Sequence, residues 1–249
     1  METKEQRYRQ LIGQVKKKYP VLDEAQPPEK KALYWFRECD EINLWTYWQG
    51  RGQLDADIML VGQDWGNPWE DSCKSFCKKL SQPDSGRIRN YMEGNNNPTD
   101  KNLVTLFKVL GFDIEKPCDR LFFTNFVLGY RNYKISGGYR RQWTEDNRDF
   151  FRQLAEIIEP EVVLCLGRTT FQAVMQALEP QKKLRIGRYN TFLTSADNPR
   201  TVRLSTGKTL RVYALAHCGA IGTMNRNRGT AGAAGLTLQI EDWKRIGPL

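Results

Sequence analysis

Three polar residues stand just beyond apolar runs of the chain: Asp64, Asn125 and His217. They are a carboxylate, an amide and the only imidazole in the sequence. A carboxylate can orient water and stabilise a cation. An amide offers donor and acceptor together and matches the edge of a nucleobase, and a neutral imidazole can donate to developing negative charge. Each also has a structural reading. Asp64 could cap the following turn, Asn125 could satisfy buried backbone, and His217 could be a packed core histidine. Together they outline a polar pocket, and with one histidine a zinc site built on several is excluded.

The pocket lies beside a basic segment. Between Gln181 and Arg228 the bases are Lys182, Lys183, Arg185, Arg188, Arg200, Arg203, Lys208, Arg211, Arg226 and Arg228, against the single acid Asp197. That local excess equals the whole net charge of +9. It points to a polyanion partner, or else to a solvated basic surface. A second stretch interleaves bases with aromatics: Tyr130, Arg131, Tyr133, Lys134, Tyr139, Arg140, Arg141 and Trp143. Rings that stack on bases and cations that hold phosphates suit unstacked nucleic acid. The alternative is a surface loop whose aromatics tuck under the domain.

The elements that must position these residues can be read from periodicity. Short apolar runs at 56–62, 121–127, 161–166 and 210–216 read as buried parallel strands. Leu103, Leu106, Phe107 and Leu110 repeat at helical spacing, opened by Pro98-Thr99-Asp100 and closed by Gly111. Thr144 is expected to cap a helix bearing Phe150, Phe151, Leu154, Ile157 and Ile158, which Pro160 stops. Gly167 turns into a helix bearing Phe171, Val174 and Leu178. The stretch from about Glu5 to Gly50 reads as charged helix broken by prolines, ending in Trp45, Tyr47 and Trp48 packed on the core. Strands alternating with helices predict an α/β domain around a mostly parallel sheet.

Composition agrees with a folded protein. Of 249 residues, 40% are hydrophobic and 27% charged. No apolar stretch reaches bilayer length, and METKEQRYRQ lacks the apolar core of a signal peptide. Six sparse cysteines predict a reduced, cytoplasmic protein, expected to be a monomer with no membrane partner.

Four segments, taken in order, resemble the motifs of the uracil-DNA glycosylase superfamily over about Ala56 to Arg228. They are Val61-Gly62-Gln63-Asp64-Trp65-Gly66, Leu121-Phe122-Phe123-Thr124-Asn125, Val162 to Arg168 through Gly167, and His217-Cys218-Gly219-Ala220-Ile221 through Arg228. The resemblance implies a three-layer α/β/α fold around a mostly parallel four-stranded sheet. Residues 1–249 would form one domain, with 1–52 as a helical extension packed on it. The implied activity is excision of uracil, or a related damaged base, from DNA. Asp64 would orient water and stabilise the sugar cation, and His217 would donate to the pyrimidine O2. Asn125 would read the O4 and N3–H edge of uracil and mismatch cytosine. Gly62 and the Gln63 N–H would contact the extruded base, and Phe76 would stack on it. Ile221 would fill the vacated stack as an apolar wedge, while Arg226 and Arg228 would hold phosphates.

The sequence departs from the family at Trp65, where Pro is usual, and at Gly66, where the uracil-specific branch carries a Tyr that blocks the thymine methyl. Cys218-Gly219 replace Pro-Ser, removing a usual phosphate contact. One branch binds an iron–sulfur cluster through four cysteines. Cys39, Cys73, Cys77 and Cys118 would be the ligands here, but no CxxC occurs. Buried free thiols, no metal and no cofactor are expected. Two other readings remain: a non-catalytic nucleic-acid binder that keeps the fold, and a doubly wound nucleotide-binding domain. The latter lacks a glycine-rich phosphate loop after its first strand.

Overall fold

The computed structural model of the chain describes residues 2–21, 32–35, 54–64, 98–116, 118–131 and 139–249. Seven helices occur among them: α1 (Lys4–Lys18), α2 (Pro98–Val109), α3 (Arg141–Ile158), α4 (Arg168–Leu178), α5 (Tyr189–Leu193), α6 (Ala220–Asn227) and α7 (Thr237–Lys244). The strands are β1 (Leu33–Tyr34), β2 (Ile58–Gly62), β3 (Leu121–Asn125), β4 (Tyr130–Arg131), β5 (Val162–Leu166), β6 (Arg200–Arg203) and β7 (Thr209–Leu215).

The main sheet runs β3-β2-β5-β7-β6. The first four strands are parallel, and β6 is antiparallel to β7. In β3 and β5 every residue is buried, as in β2 up to Val61, so these strands read as unbroken apolar runs because helices cover both faces. From β2 the chain crosses to β3 in one direction, then back past β2 to β5 and on to β7. Right-handed crossovers in opposite directions place the connecting helices on opposite faces. The contacts agree: α3 packs on α1 and α4, whereas α7 packs on α2 and α6. This arrangement is compatible with three layers.

The α1 helix opens with a capping box at Thr3 and Gln6 and buries Tyr8, Leu11, Ile12 and Val15, one face of an amphipathic helix. Tyr8 meets Phe122 of the sheet edge-on at 6.1 Å. The amino-terminal helix is thus part of the core. Trp45, Tyr47 and Trp48 lie outside the described residues.

Two expectations need correction, and one open alternative is decided in part. The sheet has five strands, because Arg200–Arg203 forms an edge strand. Only Val202 of β6 is buried, and its basic ends make the segment read as a polar loop; charge on an edge strand discourages pairing with another sheet. The third helix starts at Arg141, not at Thr144. Thr144 instead turns inward and bonds the Tyr139 hydroxyl at 2.8 Å. Finally, of the two readings of the 130–143 stretch, its described aromatics follow the second and tuck under the domain. Tyr130 and Trp143 are buried, Tyr130 edge-on to Trp35 and Trp143 to Tyr139. Tyr133 and Lys134 lie outside the described residues. Among the described residues no helix is long and apolar enough to cross a membrane.

Candidate active site

In a parallel sheet the strand order reverses where successive crossovers part, and ligands bind beyond the carboxyl ends at that point. Here the reversal falls between β2 and β5. Gly62-Gln63-Asp64, Asn125, Gly167 and His217 all stand at that end of the sheet. Neighbouring strands are about 4.8 Å apart, so the ends of β2 and β7, with β5 between, lie about 10 Å apart. Gly167 has φ +96°, a left-handed conformation that favours glycine and lets β5 turn directly into α4.

Asn125 faces Gly62 in register across β3 and β2. Its side chain lies over the Gly62 Cα so closely that a Cβ there would stand 2.0 Å from Asn125 Oδ1. Beyond the strands the pairing continues, with Phe126 N–H donating to Gly62 O at 2.9 Å and Val127 N–H to Gln63 O at 3.1 Å. Asn125 is buried, yet its side-chain amide bonds to nothing among the described residues, and its polar atoms are not sealed from solvent. Among the described residues no backbone group takes this amide. Asp64 is half-buried and accepts from the Gln63 side-chain amide at 2.7 Å.

His217 is not a core histidine. One face of the residue is open to solvent, while dense protein around the rest lowers the imidazole pKa below its ordinary 6.5 by making the cation costly. Its Nδ1 accepts the Gly219 N–H at 3.0 Å. An accepting Nδ1 in a neutral ring puts the proton on Nε2. The backbone of His217 is also tightly enclosed: a Cβ on Gly222 would fall 2.0 Å from the His217 carbonyl oxygen.

The α6 helix begins at this turn. Ile221 is 65% exposed, and Met224, one turn on, is 58% exposed, so the apolar edge is two residues wide. Met224 was not anticipated, although its spacing of three from Ile221 carries the signal. Arg226 overturns its expected role. Its guanidinium is buried and bonds both carboxylate oxygens of buried Asp242, at 2.6 and 2.7 Å. That pairing leaves no face for a phosphate. Arg228 is exposed and has no ion-pair partner among the described residues.

The fold also divides the basic segment. Arg203, Lys208 and Arg211 lie at the amino end of the sheet, where Lys208 pairs with Glu161 at 3.6 Å and Arg211 stands beside Val162. Lys182 and Arg200 pair with Glu179 and Asp197. Arg188 precedes α5, where the Tyr189 hydroxyl donates to Leu215 O at the carboxyl end of β7 and Asn190 donates to the carbonyls of Asn225 and Arg226, the latter two residues before Arg228. Phe76, Trp65 and Gly66 lie outside the described residues, as do Cys39, Cys73 and Cys77. Cys118 is a half-buried thiol. No family model matches the chain, and no curated protein matches its sequence.

Proposed function

We propose that this chain is a DNA glycosylase of the uracil class, with the uracil-DNA glycosylase-like form of the three-layer α/β/α fold. The observation that carries the reading is the Asn125 side-chain amide, which has no partner among the described residues and stands at the carboxyl end of β3, next to the strand where the order reverses. Because its polar atoms reach solvent, this amide keeps its donor and its acceptor available to a ligand edge that bears both. Uracil offers that edge with O4 and N3–H, whereas cytosine reverses part of it.

The flanking residues supply the chemistry. As the C1′–N1 bond breaks, its electron pair leaves with the base and positive charge grows on the sugar. Asp64 stabilises that cation and orients the water that attacks C1′; the products are free uracil and an abasic site. The Nε2–H of neutral His217 donates to O2 as negative charge accumulates there, an interaction stronger in the transition state than in the bound substrate. Ile221 and Met224 form the edge that enters the stack, and Arg228 with Arg188 holds the backbone.

The test is a single-stranded oligonucleotide carrying one uracil, incubated with the protein and then treated with alkali. Strand cleavage is expected with the native chain and not with Asp64→Asn. DNA binding without cleavage would favour the non-catalytic binder. Absence of both would remove the nucleic-acid reading altogether.

A further inference from the structure

His217 stands on a turn whose backbone carbonyls are claimed by side-chain amides from two different helices. The Gln239 amide of α7 donates to Ala216 O at 3.4 Å and to His217 O at 3.0 Å. The Asn102 amide of α2 donates to the next carbonyl, Cys218 O, at 2.6 Å. Gln239 is buried and also accepts from the Thr223 hydroxyl at 2.8 Å, which ties α7 to α6. One turn further along both helices, Arg226 and Asp242 form a second, buried link.

Ala216 and Cys218 are buried, so their carbonyls need partners from the protein, and amides from two separate helices supply them. The amides also fix the path of the chain from Ala216 to Gly219. The Gly219 N–H points at His217 Nδ1 only while that path holds. The Thr99 hydroxyl oxygen, 2.9 Å from where a Gly219 Cβ would be, closes the turn from the side of α2. We propose that Gln239 and Asn102 are positioning residues that lock His217 in the tautomer with its proton on Nε2. The inference rests on the glycosylase reading only for the use to which that proton is put.

His217 is the only histidine, so imidazole nitrogen-15 NMR reports this one ring without assignment. With histidine-labelled full-length protein at neutral pH, the native chain should show a single tautomer, protonated at Nε2. Gln239→Leu keeps an apolar filling but removes both donors. Asn102→Ala is the milder change at a half-buried site and serves if Gln239→Leu fails to fold. Either variant, shown to be folded by its thermal transition, should give nitrogen shifts moved toward tautomer averaging. Uracil release should fall about tenfold in kcat with KM within about twofold, the equivalent of one lost hydrogen bond acting in the transition state. Nitrogen shifts identical to those of the native chain in both folded variants would overturn the proposal. Because that readout needs no substrate, a chain that releases no uracil would sink the glycosylase reading while the tautomer lock is still decided by the spectra.

Discussion

The two flanks of the candidate site are built in opposite ways. On the β2–β3 flank, the amide of buried Asn125 has no partner among the described residues, and backbone pairing and the absence of a side chain at Gly62 set its place. On the β7 flank, the carbonyls of Ala216, His217 and Cys218 all accept from amides, and even the imidazole Nδ1 is occupied. A group that reads a ligand must keep its hydrogen-bonding capacity until the ligand arrives. A group that delivers one proton in one direction needs every other freedom removed. Under the proposed function the contrast would give recognition to the first flank and chemistry to the second, and it can be broken from either side.

The largest effect is expected at the chemical groups. Asp64→Asn and His217→Ala should each lower base release about 10²- to 10⁴-fold while DNA affinity changes little, because in the proposed mechanism both act on charge that exists only in the transition state. Single-turnover rates beside equilibrium binding check this. Equal losses in the two would place these residues in binding, and the division between flanks would collapse.

Next comes the scaffold of the saturated flank. Arg226→Ala strands Asp242 in the interior and should cost about 3–5 kcal/mol of stability, read from denaturant midpoints. Arg228→Ala, two residues on and exposed, should leave stability unchanged and reduce the log–log salt slope of DNA binding by about one. If the two arginines exchange behaviours, the link between α6 and α7 is not what fixes the turn.

This pair also shows what was legible in the sequence. Both arginines look alike there, each a base that directly follows an asparagine, Asn225 or Asn227. Which one finds a buried partner depends on Asp242, sixteen residues away on a helix that the strand-and-helix pattern did not reveal. Gln239 and Asn102 were hidden for the same reason: a glutamine or asparagine in a helix carries no local sign that it reaches a distant carbonyl. The parallel strands were legible because burial on both faces makes them unbroken apolar runs. The three polar residues at their ends were legible because a parallel sheet brings all its carboxyl ends to one edge. β6 was not legible, since an edge strand with basic ends has no apolar alternation to detect.

On the recognition flank a smaller effect is expected from the smallest change of side chain. Gly62→Ala places a methyl where Asn125 Oδ1 now lies, and the neighbouring strand backbone cannot yield. Displacing the amide by about 1 Å should slow uracil release on the order of tenfold to a hundredfold. Asn125→Asp should instead weaken the preference for uracil over cytosine. Native uracil release by Gly62→Ala would show that the position of the Asn125 amide is not critical and would remove recognition from this flank.

The smallest expected effect is on stability in mild acid, and it isolates the surroundings of His217. Protein crowding lowers the pKa of this ring below 6.5 in the folded state, while the unfolded chain keeps the ordinary value. As pH falls below 6.5 the unfolded chain binds a proton that the folded chain resists, so the balance shifts toward unfolding. The stabilising contribution is complete above 6.5 and is lost as pH falls through the lower, folded value. Carboxylates also titrate in that range, but no second histidine does, so the difference between the native chain and His217→Gln subtracts them. Urea midpoints from pH 7.5 down to pH 5 should therefore fall more steeply for the native chain than for the variant. The open face of the ring keeps the difference small. The acid limb of uracil release should share the same origin, with its midpoint below 6.5, since only neutral His217 carries the Nε2 proton while Nδ1 still accepts from Gly219. Parallel urea curves would mean that the ring titrates as freely as in the unfolded chain. The enclosure that distinguishes this flank would then have no hold on the proton it is built to place.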